Sequence, residues 1–157
     1  RVPMIARWPG KIEAGTTTAQ SFCLTDVMAT CAAIVGAELP ADAAEDSFNF
    51  LPVLTGSRPE DEPVRTHTLH QTIRLALAIR RGPWKYLDHT GSGGNRYDQP
   101  MLKGFRLREK APDAPAQLYN LDDDPGETTN LYFQHPEIVA ELKSKLEESR
   151  VSGRSAP

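Results

Sequence analysis

The sequence predicts an α+β fold on three observations: a short helical stretch near the start, a group of short strand-like runs in the middle, and one amphipathic helix at the end. Two of the strand-like runs are separated by only Arg81-Gly82-Pro83, a hairpin signature that points to a small antiparallel sheet. At 157 residues the chain is long enough for one ordinary domain, which at this size buries roughly two thirds of the surface its unfolded form exposes.

Taken in order, Val2-Pro3-Met4-Ile5-Ala6-Arg7-Trp8 is a short apolar segment stopped by Pro9-Gly10, which predicts a buried strand ending in a turn. Thr25 or Asp26 can cap a helix whose Val27, Met28, Cys31, Ala32 and Val35 share one face, with Gly36 as its stop. Residues 39–62 are rich in Pro, Ala, Asp and Glu around the apolar island Phe48 to Leu54, and read as a crossing segment. Thr66 to Ile73, Arg74 to Arg80 and Trp84 to Leu87 are strand-like. In the second of these, Leu75, Leu77 and Ile79 alternate with Ala76 and Ala78, leaving one face small enough for a helix to lie on it.

Gly91-Ser92-Gly93-Gly94-Asn95 opens a polar excursion to about Pro115, long enough to be either mobile or functional. Gln117 to Leu121 predicts a last strand. Pro136 suits the first turn of a helix to about Ser149, with Ile138, Val139, Leu142 and Leu146 as its apolar stripe. Residues 151–157 read as a frayed tail.

Composition narrows the partners. The longest apolar run, Ala29 to Val35, is too short to span a bilayer, and a net charge of −3 with both signs interspersed offers no basic field for nucleic acid. Neither membrane nor nucleic acid is an expected partner. Cys23 and Cys31 are expected as buried thiols in the helical region. The opening Arg1-Val2-Pro3 carries no targeting run and starts inside a strand-like pattern, so the chain is expected to begin within a longer protein, and no compartment is read from it.

Common catalytic motifs fail one by one. Ser92 does not sit in Gly-x-Ser-x-Gly, and its glycine run lacks the Gly-Lys-Ser/Thr of a phosphate cradle and breaks the dinucleotide pattern at Arg96. The acidic run Asp122 to Glu127 cannot be a calcium loop of the helix–loop–helix type, because aligning Gly126 to the loop glycine puts Leu121 and Pro125 on ligand positions; a turn whose Asp side chains bond local backbone is the better account. His67 and His70 would pair on a metal only on a helix, and their setting favours a strand. Leu131-Tyr132-Phe133-Gln134 runs on into a helical pattern and reads as native sequence.

Five segments in order carry a resemblance: Arg1 to Gly10, Leu24-Thr25-Asp26-Val27-Met28-Ala29-Thr30, Leu54-Thr55-Gly56, Ala78 to Tyr86, and Leu118-Tyr119-Asn120-Leu121-Asp122-Asp123-Asp124-Pro125-Gly126-Glu127-Thr128-Thr129-Asn130-Leu131. Together they resemble the carboxy-terminal portion of the sulfatase (arylsulfatase-like) family. The resemblance implies that residues 1–57 end an alkaline-phosphatase-like α/β domain, that 58–150 form the smaller carboxy-terminal subdomain, an antiparallel sheet packed on a helix, and that 151–157 are a tail. It implies a parent enzyme that hydrolyses sulfuric esters of a small molecule or glycan, using calcium and a formylglycine made from cysteine in Cys-x-Pro/Ala-x-Arg. Cys23 is followed by Leu-Thr-Asp-Val and Cys31 by Ala-Ala-Ile-Val, so neither matches. No catalytic residue or metal ligand is therefore assigned here, and the chain alone is expected to be inactive.

Loops of that subdomain edge the cleft in the family, which makes His67, His70, His89, Asn95 and Arg96 the candidate substrate-binding residues, with Arg96 as a cation for an anionic group. A free-standing binding or scaffold module derived from such a subdomain is the alternative reading. Because residues 1–56 would lack their neighbouring layer, they are expected to expose apolar surface through which the isolated chain forms a homodimer.

Overall fold

In the computed structural model, residues 3–94, 97–106, 108 and 110–156 are described. They divide into two compact units, Arg1–Thr66 with Gly153–Pro157, and His67–Ser152.

The first unit contains helix α1, Asp26–Val35, and the single-turn helix α2, Leu51–Leu54. Gly36 ends α1 in the left-handed conformation (φ 69°), and the N–H of Ala37 donates to Ala32 O at 2.9 Å, so the helix stops where glycine permits it. The buried side of α1 is polar: Asp26 and Thr30 face inward. Thr30 Oγ1 donates to Asp26 O at 2.6 Å and accepts the N–H of Phe50 at 3.0 Å, which seats the buried Phe50 ring edge-on to Phe22, 5.0 Å between centroids. Asp26 accepts the N–H groups of Cys23 (2.8 Å) and Phe48 (2.9 Å) and pairs with Arg65 at 2.5 Å. The Arg65 guanidinium also donates to Asp46 O at 2.8 Å and lies 4.3 Å from the centre of the Phe48 ring. At the end of the chain, Ser155 joins this unit, its N–H and hydroxyl both donating to the Asp46 carboxylate.

Two expectations for this unit are corrected. Residues 3–8 form no strand, because a strand needs a hydrogen-bonded ladder and this segment has none among the described residues. The second concerns the cysteines, because the apolar face of α1, which carries Cys31, is not buried. Leu24, Val27, Met28, Cys31, Ile34 and Val35 all lie exposed on one outward stripe, Leu24 at 88% and Val35 at 75%. Cys31 is thus an exposed thiol and Cys23 a half-buried one; neither is a core residue.

The second unit is a four-stranded antiparallel sheet in the order β1 (Thr68–Gln71), β2 (Leu77–Arg81), β3 (Trp84–Leu87), β4 (Gln117–Asn120), backed by α3 (Pro136–Ser152). Gly82-Pro83 makes the predicted hairpin, with Arg81 opposite Trp84. One face of the sheet supplies Ile79, Tyr86, Ala116 and Leu118 to the core, and α3 meets them with Val139, Leu142 and Leu146. Each such aliphatic side chain contributes about 2 kcal/mol by leaving water. The helix therefore lies on the large-aliphatic face of β2, the one bearing Ile79 and Leu77, rather than on the alanine face, because only that face offers enough apolar area to match the α3 stripe. Leu75 belongs to neither face; it sits in the turn before β2, exposed.

Polar links tie the rim. Tyr86 Oη donates to Asp88 (2.8 Å), and Arg150 of α3 donates to the other oxygen of Asp88 at 3.1 Å. Burial, then the Asp88 carboxylate, pushes the Tyr86 hydroxyl well above its usual range, so it stays a donor. Arg81 of β2 pairs with Glu141 of α3. Among the described residues no helix is long and apolar enough to cross a membrane.

Candidate functional site

The polar loop that follows β3 and the turn that joins β1 to β2 line an open cleft of about 260 Å³, bounded by Arg74, Ala76, His89, Thr90, Ser92, Gly93 and Gly94. Its first wall is the β1–β2 turn. Thr72 N–H donates to Ala76 O and Leu75 N–H to Thr72 O, both at 2.9 Å, while the Thr72 hydroxyl accepts the N–H groups of Ala76 (3.1 Å) and Arg74 (3.3 Å). This threonine locks the turn so tightly that Leu75 adopts a left-handed conformation (φ 62°), which costs a non-glycine residue about 1–2 kcal/mol. The turn thereby carries Arg74 between two strongly exposed apolar side chains, Ile73 and Leu75.

The second wall is held from beneath. Buried Gln117 of β4 donates its amide to His89 O (2.9 Å) and Gly91 O (2.8 Å), and the hydroxyl of Tyr119 donates to Gln117 Oε1 at 2.8 Å. His89 Nδ1 lies 3.2 Å from Thr90 O. At Gly93 (φ 66°) an added Cβ would come within 2.6 Å of the Thr72 methyl and 3.0 Å of His89 Cε1, so the two walls touch at a point where only glycine fits.

The predicted site residues are distributed unevenly. His89 lines the cleft. His67 is buried just before β1, and His70 is exposed within it, paired with Ala78; neither is among the cleft residues. Asn95 and Arg96 lie outside the described residues. Sequence reasoning missed Arg74, which it took as the first residue of a strand. Ile73 and Leu75 continue the period-two alternation of Leu77 and Ile79, so the sequence pattern carried no signal that Arg74 sits in a turn.

The acidic loop after β4 is a turn, as expected. Asp124 N–H donates to Asn120 O (2.8 Å), and the Asp124 carboxylate accepts the N–H groups of Thr128 (2.7 Å) and Thr129 (2.8 Å) and the Thr128 hydroxyl (3.0 Å). Burial acts to raise this carboxyl, but the hydrogen bonds from Thr129 and Thr128, with Lys110 nearby, outweigh it and hold the group below the usual carboxylate range. The loop does not fit a calcium ion: Asp124 is spent on backbone and hydroxyl donors, Glu127 pairs with Lys85 at 2.7 Å, and Asp123 accepts from Asn120. Among the described residues no three His, Cys, Asp or Glu side chains gather as metal ligands, and neither cysteine has the sequence context for formylglycine.

The second unit is thus a small antiparallel sheet backed by a helix and edged by a loop-lined cleft, and comparison with known proteins gives the family. The chain is 37% identical over 147 residues to the N-acetylgalactosamine-6-O-sulfatase of Bacteroides thetaiotaomicron, covering 94% of this chain and 27% of that protein. It is 32% identical over 151 residues to human arylsulfatase A, covering 91% of this chain and 29% of the relative. A solved structure described under metabolism of multiple glycosaminoglycans by Bacteroides thetaiotaomicron superposes with a TM-score of 0.72 at 33% identity, over 92% of this chain and 28% of that one. A second, solved in complex with its substrate D-glucosamine-2-N,6-O-disulfate, shares the fold with a TM-score of 0.61 at 20% identity, over 92% of this chain and 27% of that one. No family model matches the chain. The chain belongs to the sulfatase family and spans a little over a quarter of the length of these relatives.

Proposed function

We propose that these 157 residues are the carboxy-terminal portion of a sulfuric ester hydrolase, contributing an edge of the substrate cleft and structural support. The nucleophile and metal ligands would then lie in residues outside this sequence. The observation that carries this reading is the disproportion of the match: more than nine tenths of this chain aligns with sulfatases, but under a third of each sulfatase aligns with it. Calcium and formylglycine belong to the whole enzyme in this reading, and a sulfated small molecule or glycan is its substrate. Residues 1–57 are the end of an alkaline-phosphatase-like α/β domain in this reading, which is supported by the outward apolar stripe of α1, the surface such a domain would cover.

A chromogenic aryl sulfate, offered in parallel to the 157-residue chain and to the longer gene product co-expressed with a formylglycine-generating enzyme, tests the reading. Hydrolysis by the longer protein alone is expected; hydrolysis by the 157 residues alone would overturn it. In the isolated chain the α1 stripe is expected to pair with a second copy. Light scattering that shows only monomer at high concentration would remove that part of the proposal.

A further inference from the structure

We propose that the cleft between the β1–β2 turn and the 89–94 loop is an anion site, built to take a carboxylate or sulfate group, with Arg74 as its cation and His89 and Thr90 as further polar contacts. That this anion is carried on the saccharide substrate of a sulfatase rests on the function proposed above; the binding itself does not.

Three features of the cleft point to an anion. The first is the state of Arg74. In the same unit Arg80 donates to Gly82 O, Arg81 pairs with Glu141 and Arg150 with Asp88, whereas the Arg74 guanidinium makes no hydrogen bond or ion pair with any described residue. A guanidinium presents a fork of N–H donors that matches carboxylate and sulfate oxygens in pairs. The second is the lining. Among the described residues it is formed by Arg74, His89, Thr90, Ser92, Ala76 and two glycines, with no Asp or Glu among them, so its charge complement is an anion and not a cation. The third is preorganisation. Thr72 fixes the turn that carries Arg74, Gln117 fixes the carbonyls of His89 and Gly91, and the strained Leu75 holds its conformation although nothing buries it. Strain kept on an exposed turn beside a cleft is the pattern of a positioning device rather than of a packing constraint.

Size sets the class of ligand. A space of about 260 Å³ falls below the ~300–1,000 Å³ of pockets that enclose a whole small molecule, so the cleft suits a charged group and part of its carrier. Ile73 and Leu75, standing exposed on either side of Arg74, give that carrier apolar edges to rest against.

The test is a titration of the isotopically labelled 157-residue chain, followed by amide and imidazole NMR shifts, with D-galactose 6-sulfate, D-glucuronate and neutral D-galactose at matched ionic strength. Saturable shifts at Thr72–Ala76 and His89–Gly94 are expected with one or both anions and not with galactose, and the responsive anion separates the sulfate from the carboxylate source. Arg74→Ala should weaken the response about tenfold or more, the usual consequence of losing a charge-assisted pair, and Arg74→Lys, which keeps the charge but not the fork, should fall between. Because Arg74 is exposed and makes no side-chain bond to another described residue, the spectrum elsewhere should be unchanged, which separates lost binding from lost fold. Shifts that do not saturate, that galactose reproduces, or that survive Arg74→Ala would overturn the proposal. Binding by this chain with no hydrolysis of aryl sulfate by the longer gene product would leave the site standing and remove the sulfatase reading; hydrolysis by the longer protein without binding here would do the reverse.

Discussion

At the centre of the first unit lies an ion pair, Asp26 with Arg65, whose oxygens and nitrogens also gather the backbone of residues 23, 46 and 48. At the centre of the second lies a closed patch of aliphatic and aromatic side chains from four strands and one helix. The second unit packs the apolar stripe of its helix inward against the sheet, and the first turns a whole helical stripe outward. A helix whose polar face is buried and whose apolar face is exposed gains little from apolar burial, so the ion pair acts as a local pin and not as a core. Such a pin is sensitive to the loss of one half and tolerant of the loss of both, since the cost of burying two charges nearly cancels their attraction.

The contrast can be broken by mutation. Asp26→Ala should destabilise the first unit by about 3–5 kcal/mol, because it leaves the Arg65 charge buried without its counter-ion, while the apolar pair Asp26→Leu with Arg65→Met should recover most of that loss. Leu142→Ala should cost the second unit about 3 kcal/mol through an unfilled cavity, with no such rescue. Denaturant unfolding followed by Trp8 and Trp84, one in each unit, reads the two effects separately. A loss below about 1 kcal/mol for Asp26→Ala would mean that the ion pair is not what holds the first unit.

A smaller effect belongs to the turn after β4. Asp124→Asn should cost about 1 kcal/mol, the usual value of a side-chain cap on backbone N–H groups. Because the Asp124 carboxyl is held below its unfolded pKa, the stability it confers is present above the ordinary carboxylate range and is lost as pH falls through the lowered value. Melting curves of the variant should therefore lack part of the acid-side decline seen in the parent chain.

The sheet, the hairpin and the last helix were legible in the sequence because each is set by local pattern: alternation in Leu77 to Arg81, Gly82-Pro83 at a hairpin, and Ile138, Val139, Leu142 and Leu146 at helical spacing. The helix at Asp26–Val35 was legible in extent and in its apolar stripe. Its apolar stripe is read correctly from spacing, but spacing carries no information about whether a partner layer is present. The expected strand at residues 3–8 failed for the same reason, since a strand is defined by what pairs with it. In the candidate site, His89 followed from its polar neighbourhood. Arg74 did not, because its role comes from a five-residue turn and a loop 15 residues further on being brought together, which no window on the sequence contains.

Asn130 has a consequence for how the sheet meets other chains. Its amide donates to Ala116 O at 3.2 Å and accepts the N–H groups of Leu118 and Tyr132 at 3.1 Å, while Leu131 N–H donates to Leu118 O at 2.8 Å. These bonds occupy the side of β4 that faces away from β3, where an open edge would otherwise invite a foreign strand to add by backbone pairing. Residues 130–132 thus act as a hem along that border of the sheet. Any extension by strand addition is left to the β1 border, where the edge strand is only four residues long.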